Sequence, residues 1–177
     1  NTLSTVQAMC ETDPSGAKEV VEKFGIYLRQ NIDSLNQPGL IPLRKELEHT
    51  RVYTEIEAVR FPRIRIEYEI EDVGFSVPAL TVQPLKENAI RHGVRIRKNG
   101  LVTIATRKGD DCHEIIIRDN GKGFSVRGAP ETGGSHIGIQ NVRERLHNLC
   151  GGTLTIESAE GSGTCVTIRI PRGKERL

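Results

Sequence analysis

The chain has 177 residues, enough for one hydrophobic core with a smaller appendage. Its 25 basic and 23 acidic residues are interspersed and give a formal net charge of +2, which does not indicate a nucleic-acid partner. The four cysteines have the spacing of neither a disulfide framework nor a metal site, and the sequence has no run of about eighteen apolar residues that would indicate a membrane span.

The beginning of the chain has the periodicity of helices. Leu3, Val6 and Cys10 predict a short first helix, and Asp13 then precedes Pro14 as the cap of a second helix. Apolar residues continue at helical spacing along the second helix, at Ala17, Val20, Val21, Phe24, Leu28, Ile32 and Leu35. Because an apolar stripe of about five turns needs a covering surface, we expect it to pack in a dimer or against an upstream segment.

A third helical pattern runs from Leu43 to Val59. Its glutamates are expected on the solvated faces; they are Glu46, Glu48, Glu55 and Glu57. We therefore predict that residues 1–60 form an antiparallel helical segment and that residues 61–177 form a separate domain.

The hydrophobic period changes to two after Pro62. Isoleucines and a tyrosine alternate with charged residues over residues 64–70, which predicts a strand with one buried face. Further strands are predicted at residues 101–106, 114–119, 153–157 and 164–170. A hairpin turn at residues 109–111 and a helix from Ile139 to Leu149 complete the pattern. It predicts an α+β fold, a two-layer α/β sandwich with a mixed, mostly antiparallel sheet preceded by a helical hairpin segment.

A short polar helix is predicted between the first two strands. Pro84 is expected to open this helix and Gly93 to close it, with Leu85 and Ala89 on its buried side. Its polar residues form two flanks of residues four apart, Asn88 with His92 and Glu87 with Arg91. These side chains suit a ligand with phosphates and a metal, and a solvated polar face is the alternative.

The first of three glycine-bearing turns covers residues 119–124 and directly follows a strand. Gly121 and Gly123 would allow the backbone to approach a flat ligand closely. Asp119 can accept a hydrogen bond from an exocyclic amine, and its charge strengthens that bond. Taken alone, this turn could also be an ordinary hairpin turn.

The other two turns flank the last helix and the last strands. Residues 133–138 lead into the helix. The backbone N–H groups and the dipole at the start of a helix suit an anion such as a phosphate. The alternative is a flexible loop followed by a capped helix. The preceding residues 125–132 suit a lid over a ligand or an idle surface loop. Residues 161–164 join the last two strands, where a hairpin alone would explain the glycines.

In this order, the four segments resemble motifs of the ATP-binding domain shared by histidine kinases, type II topoisomerases, ninety-kilodalton heat-shock chaperones and mismatch-repair ATPases. Within that group the chain resembles the LytS-type sensor histidine kinases. Residues 87–93 resemble the asparagine box. Residues 119–124, 138–146 and 161–164 resemble the glycine boxes. Residues 42–48 and 53–57 resemble the linker that follows the dimerisation helices.

The resemblance implies ATP and Mg²⁺ as cofactors and a role for each site residue. Asn88 would be the metal ligand, and Arg91 and His92 would contact the phosphates. Glu87 would be the candidate catalytic acid or base, and Asp119 would hold the adenine amino group. The other implied ATP-binding residues are Gly121, Gly123, Gly134, Ser135, His136, Ile137, Gly138, Gly163 and Thr164.

The resemblance also implies an activity and partners. Residues 1–60 would be the dimerisation segment of a homodimer and residues 61–177 the catalytic domain, on the cytoplasmic side of a bacterial inner-membrane sensor attached through upstream segments. The acceptor histidine would lie upstream of Asn1, and a response-regulator aspartate would then receive the phosphoryl group. The alternatives are an ATP-driven conformational clamp and a non-catalytic nucleotide-binding module. Pro84 counts against the clamp, because clamp relatives have a catalytic glutamate at that position.

Overall fold

The computed structural model describes residues 2–35, 39–125 and 134–172. Its helices are α1 (Thr2–Thr12), α2 (Pro14–Leu35), α3 (Leu43–Arg60), α4 (Val82–Asn88), which continues as a π-helical turn (Ala89–Val94), and α5 (Gly134–Cys150). Its strands are β1 (Leu40–Pro42), β2 (Ile64–Ile70), β3 (Ser76–Pro78), β4 (Gly100–Lys108), β5 (Cys112–Asp119), β6 (Thr153–Ala159) and β7 (Gly163–Pro171). The predicted helices and strands are confirmed, and the short strands β1 and β3 were not predicted.

Five strands form one sheet in the order β2-β4-β5-β7-β6. The β2–β4 pair is parallel and the other three pairs are antiparallel, which confirms the predicted mixed, mostly antiparallel sheet. The parallel pair needs a crossover connection, and the segment that contains α4 supplies it. The predicted hairpin between β4 and β5 is also present, with the Gly109 N–H donating to the Cys112 carbonyl at 2.8 Å.

One hydrophobic core lies between the sheet and the helices. The buried strand residues recur at every second position: Val102 and Ile104 in β4, Ile115 and Ile117 in β5, and Val166, Ile168 and Ile170 in β7. Leu85 of α4 and Leu146 of α5 cover them from the helical layer. Ile41 and Leu43 join the same cluster, so the start of α3 packs into this core. The domain boundary at residue 60 stays a prediction.

Helices α2 and α3 pack antiparallel, as the sequence predicted. The Lys23 ammonium lies 2.8 Å from the Glu55 carboxylate, and the rings of Tyr27 and Tyr53 lie 4.9 Å apart. The α2 stripe is only partly covered within the chain. Ala17 and Val20 are buried, whereas the exposed fractions of Val21, Leu28 and Ile32 are 50%, 44% and 58%.

Two of the α3 glutamates are buried, so their predicted solvated position is wrong. Glu46 is 1% exposed and Glu57 is 5% exposed. The Glu46 carboxylate accepts the backbone N–H groups of Leu80, Val82 and Gln83 at 3.1, 2.9 and 3.4 Å. The first N–H groups of a helix lack partners within it, so Glu46 caps α4 from a different helix. Burial raises the pKa of Glu46, and these hydrogen bonds oppose the shift.

A buried lysine makes a second link between α3 and α4. Lys86 is fully buried, and its ammonium donates to the Thr50 carbonyl at 2.6 Å and to the Thr54 hydroxyl at 3.1 Å. It also lies 4.6 Å from the centre of the Tyr53 ring. Burial lowers the pKa of Lys86 to about 7, and the charges of nearby glutamates oppose this shift.

The ends of α4 differ from the prediction. The helix begins at Val82, so Pro84 occupies its third position and not its first. Proline is tolerated there because the N–H groups of the first turn have no partner within the helix. Gly93 lies inside the π-helical turn, which ends one residue later at Val94.

We predict that Glu46→Gln lowers the free energy of unfolding by about 1–3 kcal/mol, because a carboxamide offers one acceptor oxygen and turns donors toward buried N–H groups. Urea unfolding measures this. Glu48→Gln is the matched control, since Glu48 is exposed on the same helix. Equal stability of the two variants would contradict the capping role of Glu46.

The buried lysine generates a pH prediction. The pKa of Lys86 is about 7 in the folded chain, against an ordinary value of 10.5, so between these values the unfolded chain binds more protons. The free energy of unfolding should therefore rise with pH across this window, by at most about 1.4 kcal/mol per pH unit from this group. Lys86→Met should remove that part of the slope, and the exposed control Lys18→Met should retain it. Identical slopes in the two variants would contradict the prediction.

Candidate functional site

A cavity of about 210 Å³ lies between α4, its π-helical turn and the sheet. Five predicted site residues from three motifs line it: Asn88, His92, Asp119, Gly123 and Thr164. The polar helix and the first and third glycine turns therefore meet at one place. The convergence expected from the order of the motifs is present in the structure.

The walls of this cavity are largely apolar. The apolar lining residues are Leu85, Ala89, Ile117, Phe124, Ile139, Ile156 and Val166. They come from α4 and its π turn, the sheet, the first glycine turn and α5, so helices and sheet both contribute. Ligand pockets commonly combine such a lining with a few placed polar groups, and apolar walls suit a flat aromatic base.

Asp119 is a buried acceptor in this cavity, with an exposed fraction of 6%. The antiparallel register of β5 and β7 places Asp119 opposite Thr164. One carboxylate oxygen accepts the Gly121 N–H at 2.8 Å. Burial raises the pKa of Asp119, and hydrogen bonds from Gly121 and Thr164 oppose the shift. A carboxylate has about four lone-pair sites, so it can also accept a bond from a ligand amine.

Close backbone packing explains the glycines beside Asp119. The Lys122 N–H donates to the Gly93 carbonyl at 3.2 Å, so the first glycine turn lies on the π-helical turn. A Cβ atom at Gly121 would overlap the backbone of Gly93. A Cβ atom at Gly93 would lie 2.6 Å from a carboxylate oxygen of Asp119. Only residues without a side chain allow this approach.

The four polar residues of the asparagine-box segment lie on two different sides of α4 and its π-helical turn. Asn88 and His92 line the cavity. Burial lowers the pKa of His92, with the positive charges of Arg91 and Lys122 adding to the effect, which favours the neutral imidazole. Glu87 and Arg91 instead line a separate recess beside α3. The structure thus does not bring these two predicted site residues into the cavity.

The second glycine turn is helical where the structure describes it. Helix α5 begins at Gly134, so residues 134–138 form its first turn and not a loop before it. A glycine within a helix costs only about 1 kcal/mol, so the sequence does not prevent this extension. Part of the predicted phosphate site lies outside the described residues. This part comprises the predicted lid beyond Ser125, Gly133, and the side chains of Gly134, Ser135, His136 and Ile137.

Two basic residues near the cavity were not predicted. Lys122 lines the cavity, and its position between two glycines of the first turn could have indicated it. Arg97 donates from one guanidinium nitrogen to the carbonyls of Gly121 and Gly161, at 2.9 and 3.1 Å, and so joins the first and third glycine turns. No local pattern marks Arg97, because its partners are distant in sequence.

A metal would have few protein ligands at this site. Within residues 2–35, 39–125 and 134–172, no group of three or more His, Cys, Asp and Glu side chains could hold a metal ion. Mg²⁺ commonly keeps waters and binds substrate phosphates with one or two protein ligands. The amide oxygen of Asn88 fits a metal that arrives with a nucleotide.

No helix in the described part of the chain has the length and apolar character needed to cross a membrane.

Two family models together match most of the chain. Residues 75–174 match the model described as "Histidine kinase-, DNA gyrase B-, and HSP90-like ATPase". Residues 1–65 match the model described as "Histidine kinase". The first match includes Asn88, Asp119 and Thr164, and so covers the cavity.

Curated relatives match along nearly the same length. The sensor histidine kinase YpdA of Escherichia coli is 34% identical over 179 residues, which covers 97% of this chain and 31% of YpdA. The sensor protein LytS of Oceanobacillus iheyensis is 32% identical over 165 residues, which covers 85% of this chain and 28% of LytS. This chain therefore spans about a third of the length of these relatives.

Solved structures share the fold. The histidine kinase domain of the blue-light activated histidine kinase from Erythrobacter litoralis EL346 has a TM-score of 0.62 and 20% sequence identity, covering 93% of this chain and 80% of that one. The Acinetobacter baumannii histidine kinase AdeS has a TM-score of 0.60 and 16% identity, covering 97% and 95%. The predicted fold class is confirmed.

We predict that Asp119→Asn weakens ATP binding about tenfold to a hundredfold, because it would remove the charge-assisted hydrogen bond that the resemblance implies between Asp119 and the adenine amine. The asparagine oxygen can still accept the Gly121 N–H, so the fold should persist. Calorimetric titration with ATP measures the affinity, and thermal unfolding checks the fold. Asp111→Asn, in the exposed β4–β5 turn, is the matched control. Unchanged affinity in Asp119→Asn would contradict the assignment.

Proposed function

This chain belongs to the histidine kinase-, DNA gyrase B- and HSP90-like ATPase family, and from that premise we propose that it is the kinase region of a two-component sensor histidine kinase. The match of residues 1–65 to the histidine kinase model supports the kinase branch of the family. The matched LytS and YpdA proteins confirm the resemblance drawn from the motifs. Family membership also supports the use of ATP.

The cavity beside α4 is the proposed ATP site. Asp119 would accept a hydrogen bond from the adenine amine, and the apolar walls would cover the faces of the base. Asn88, His92 and Lys122 would face the phosphate oxygens from the same cavity. The meeting of a buried carboxylate, apolar walls and these polar groups in one cavity carries the proposal.

Magnesium is the proposed metal, with Asn88 as its protein ligand. A bound Mg²⁺ would neutralise charge on the phosphates, which is the main electrostatic requirement of phosphoryl transfer. The chain's own residues would position the nucleotide. Gly123 and Thr164 would shape the adenine pocket, and Gly138, at the start of α5, would lie near the phosphates.

The proposed reaction transfers the γ-phosphoryl group of ATP to a histidine upstream of Asn1. The bond from the γ-phosphorus to the ADP oxygen breaks, a nitrogen–phosphorus bond forms, and a base takes the imidazole proton. Glu87 is the proposed base, and Arg91 is a proposed phosphate contact. Both line the separate recess in this structure, so their side chains would have to turn toward the cavity before transfer. An aspartate of a response regulator would then accept the phosphoryl group.

We also propose that the chain works as a homodimer joined through its helical segment. The exposed apolar residues Val21, Leu28 and Ile32 lie along α2 and provide a surface that a second copy could cover. The region would lie on the cytoplasmic side of a bacterial inner-membrane sensor. The family in general includes dimeric kinases with response-regulator partners.

An ATP-driven clamp is not favoured, because Pro84 occupies the position at which clamp relatives have a catalytic glutamate. A non-catalytic nucleotide-binding module would bind ATP in the same cavity. The two alternatives and the kinase differ in the fate of the γ-phosphoryl group.

The test is incubation of the full-length protein with ATP labelled on the γ-phosphoryl group. The kinase predicts an acid-labile, base-stable label on the protein. Asn88→Ala should lower the initial labelling rate at least about tenfold and remove the magnesium dependence of ATP binding, because it removes the metal ligand. Asn148→Ala, at an exposed asparagine of α5, is the matched control.

Steady phosphate release without label would overturn the kinase proposal in favour of the clamp. ATP binding with neither label nor phosphate release would favour the non-catalytic module. Magnesium dependence retained in Asn88→Ala would remove Asn88 as the metal ligand.

A further inference from the structure

The face of α4 opposite the cavity is hydrogen-bonded to α2. The Tyr27 hydroxyl donates to a carboxylate oxygen of Glu87 at 3.2 Å, and the Gln83 amide donates to the same oxygen at 3.0 Å. The Gln83 amide nitrogen also lies 2.9 Å from the Tyr27 hydroxyl oxygen. These three side chains are joined to one another by hydrogen bonds, and we call them the Glu87 latch. The Tyr27 hydroxyl also has a side-chain hydrogen bond with Asn31 of α2 itself.

The chemistry of the latch fixes the direction of its bonds. Burial raises the pKa of Tyr27 to about 12, and the negative charge of Glu87 adds to the shift. The phenol therefore stays protonated at neutral pH and acts as the donor. The side chain of Tyr27 is also held by its ring, which packs on Tyr53 of α3 at a centroid distance of 4.9 Å.

The latch carries a cost within the same cluster. Gln83 is 4% exposed, and its amide oxygen is buried without a hydrogen-bond partner. Turning the amide over would place that oxygen beside the Glu87 carboxylate oxygen, and two acceptors at that distance repel each other. A buried acceptor without a partner is unfavourable, so the closed latch is less stable than its bonds alone would make it. The unpartnered oxygen therefore narrows the free-energy difference between the closed latch and an open state.

We propose that Tyr27 and Gln83 are positioning residues that hold Glu87 against α2 and away from the nucleotide cavity, and that opening this latch precedes phosphoryl transfer. This inference rests on the proposed kinase function and on Glu87 as its base. A base must reach the acceptor imidazole at the γ-phosphoryl group. In this structure Glu87 faces the α2–α3 side, whereas its neighbour Asn88 faces the cavity.

The latch also joins the helical segment to the reaction. Tyr27 belongs to α2, and Glu87 belongs to the asparagine-box helix. A shift of α2 relative to α4 would break the Tyr27 bond before it disturbed the cavity, because Tyr27 does not line the cavity. A movement in the helical segment could thus change the rate of transfer without changing ATP affinity.

The test is the initial rate of autophosphorylation in the full-length protein at saturating ATP. Tyr27→Phe keeps the ring and removes the donor, so it should raise the rate about three- to tenfold by shifting the population toward the open state. The KM for ATP should change less than about twofold, since no cavity residue is altered. A defect in folding alone would not give a faster rate at constant KM.

Two further variants separate the latch from general effects. Gln83→Met has a similar volume and no donor, so it should also raise the rate at constant KM. Tyr68→Phe is the matched control, because the Tyr68 hydroxyl also contacts α3, at Thr54, but not Glu87. It should label at the rate of the unaltered protein.

The outcomes distinguish the latch from the kinase proposal. If the unaltered protein takes up no label, the kinase proposal fails and the latch fails with it. If the unaltered protein is labelled but Tyr27→Phe and Gln83→Met are equally fast or slower, the kinase proposal stands and the latch is overturned. Acceleration of Tyr68→Phe to the same extent would also overturn it.

Discussion

The orientation of α4 is the constraint on which the rest of the structure depends. Two buried charged groups link this short helix to α3: the carboxylate of Glu46 at its first N–H groups, and the ammonium of Lys86 at the Thr50 carbonyl. A helix of 7 residues has little stability of its own, so these links and its packing fix its rotation. That rotation directs Asn88 into the cavity and Glu87 toward α2. A small rotation of α4 would therefore change both faces at once.

The opposite wall of the cavity is fixed by the sheet. The β5–β7 register places Asp119 beside Thr164, and the close approach of Gly93 and Gly121 brings the π-helical turn onto the first glycine turn. The adenine end of the proposed site is therefore set by backbone pairing, and the asparagine side by the two buried charged groups that link α3 to α4. This difference suggests that movements of the helical segment would act first on the asparagine side.

Much of the fold could be predicted because it follows from local periodicity. The alternation along residues 64–70 predicted a strand with one buried face, and β2 alternates half-buried with exposed residues. The order of the motifs predicted that Asn88 and Asp119 meet, and both line one cavity. The burial of Glu46 and Lys86 could not be predicted, because a charged residue at a helical position looks solvated until its distant partners are known. The contact of Glu87 with α2 could not be predicted for the same reason, since Tyr27 lies 60 residues away in the sequence.

The most direct test of the account is a crystal structure of the chain with a non-hydrolysable ATP analogue and Mg²⁺. The account predicts the adenine amine within hydrogen-bonding distance of the Asp119 carboxylate and the metal beside the Asn88 amide oxygen, with α4 still capped by Glu46. A nucleotide bound elsewhere, or bound in this cavity with contact to neither Asp119 nor Asn88, would contradict it.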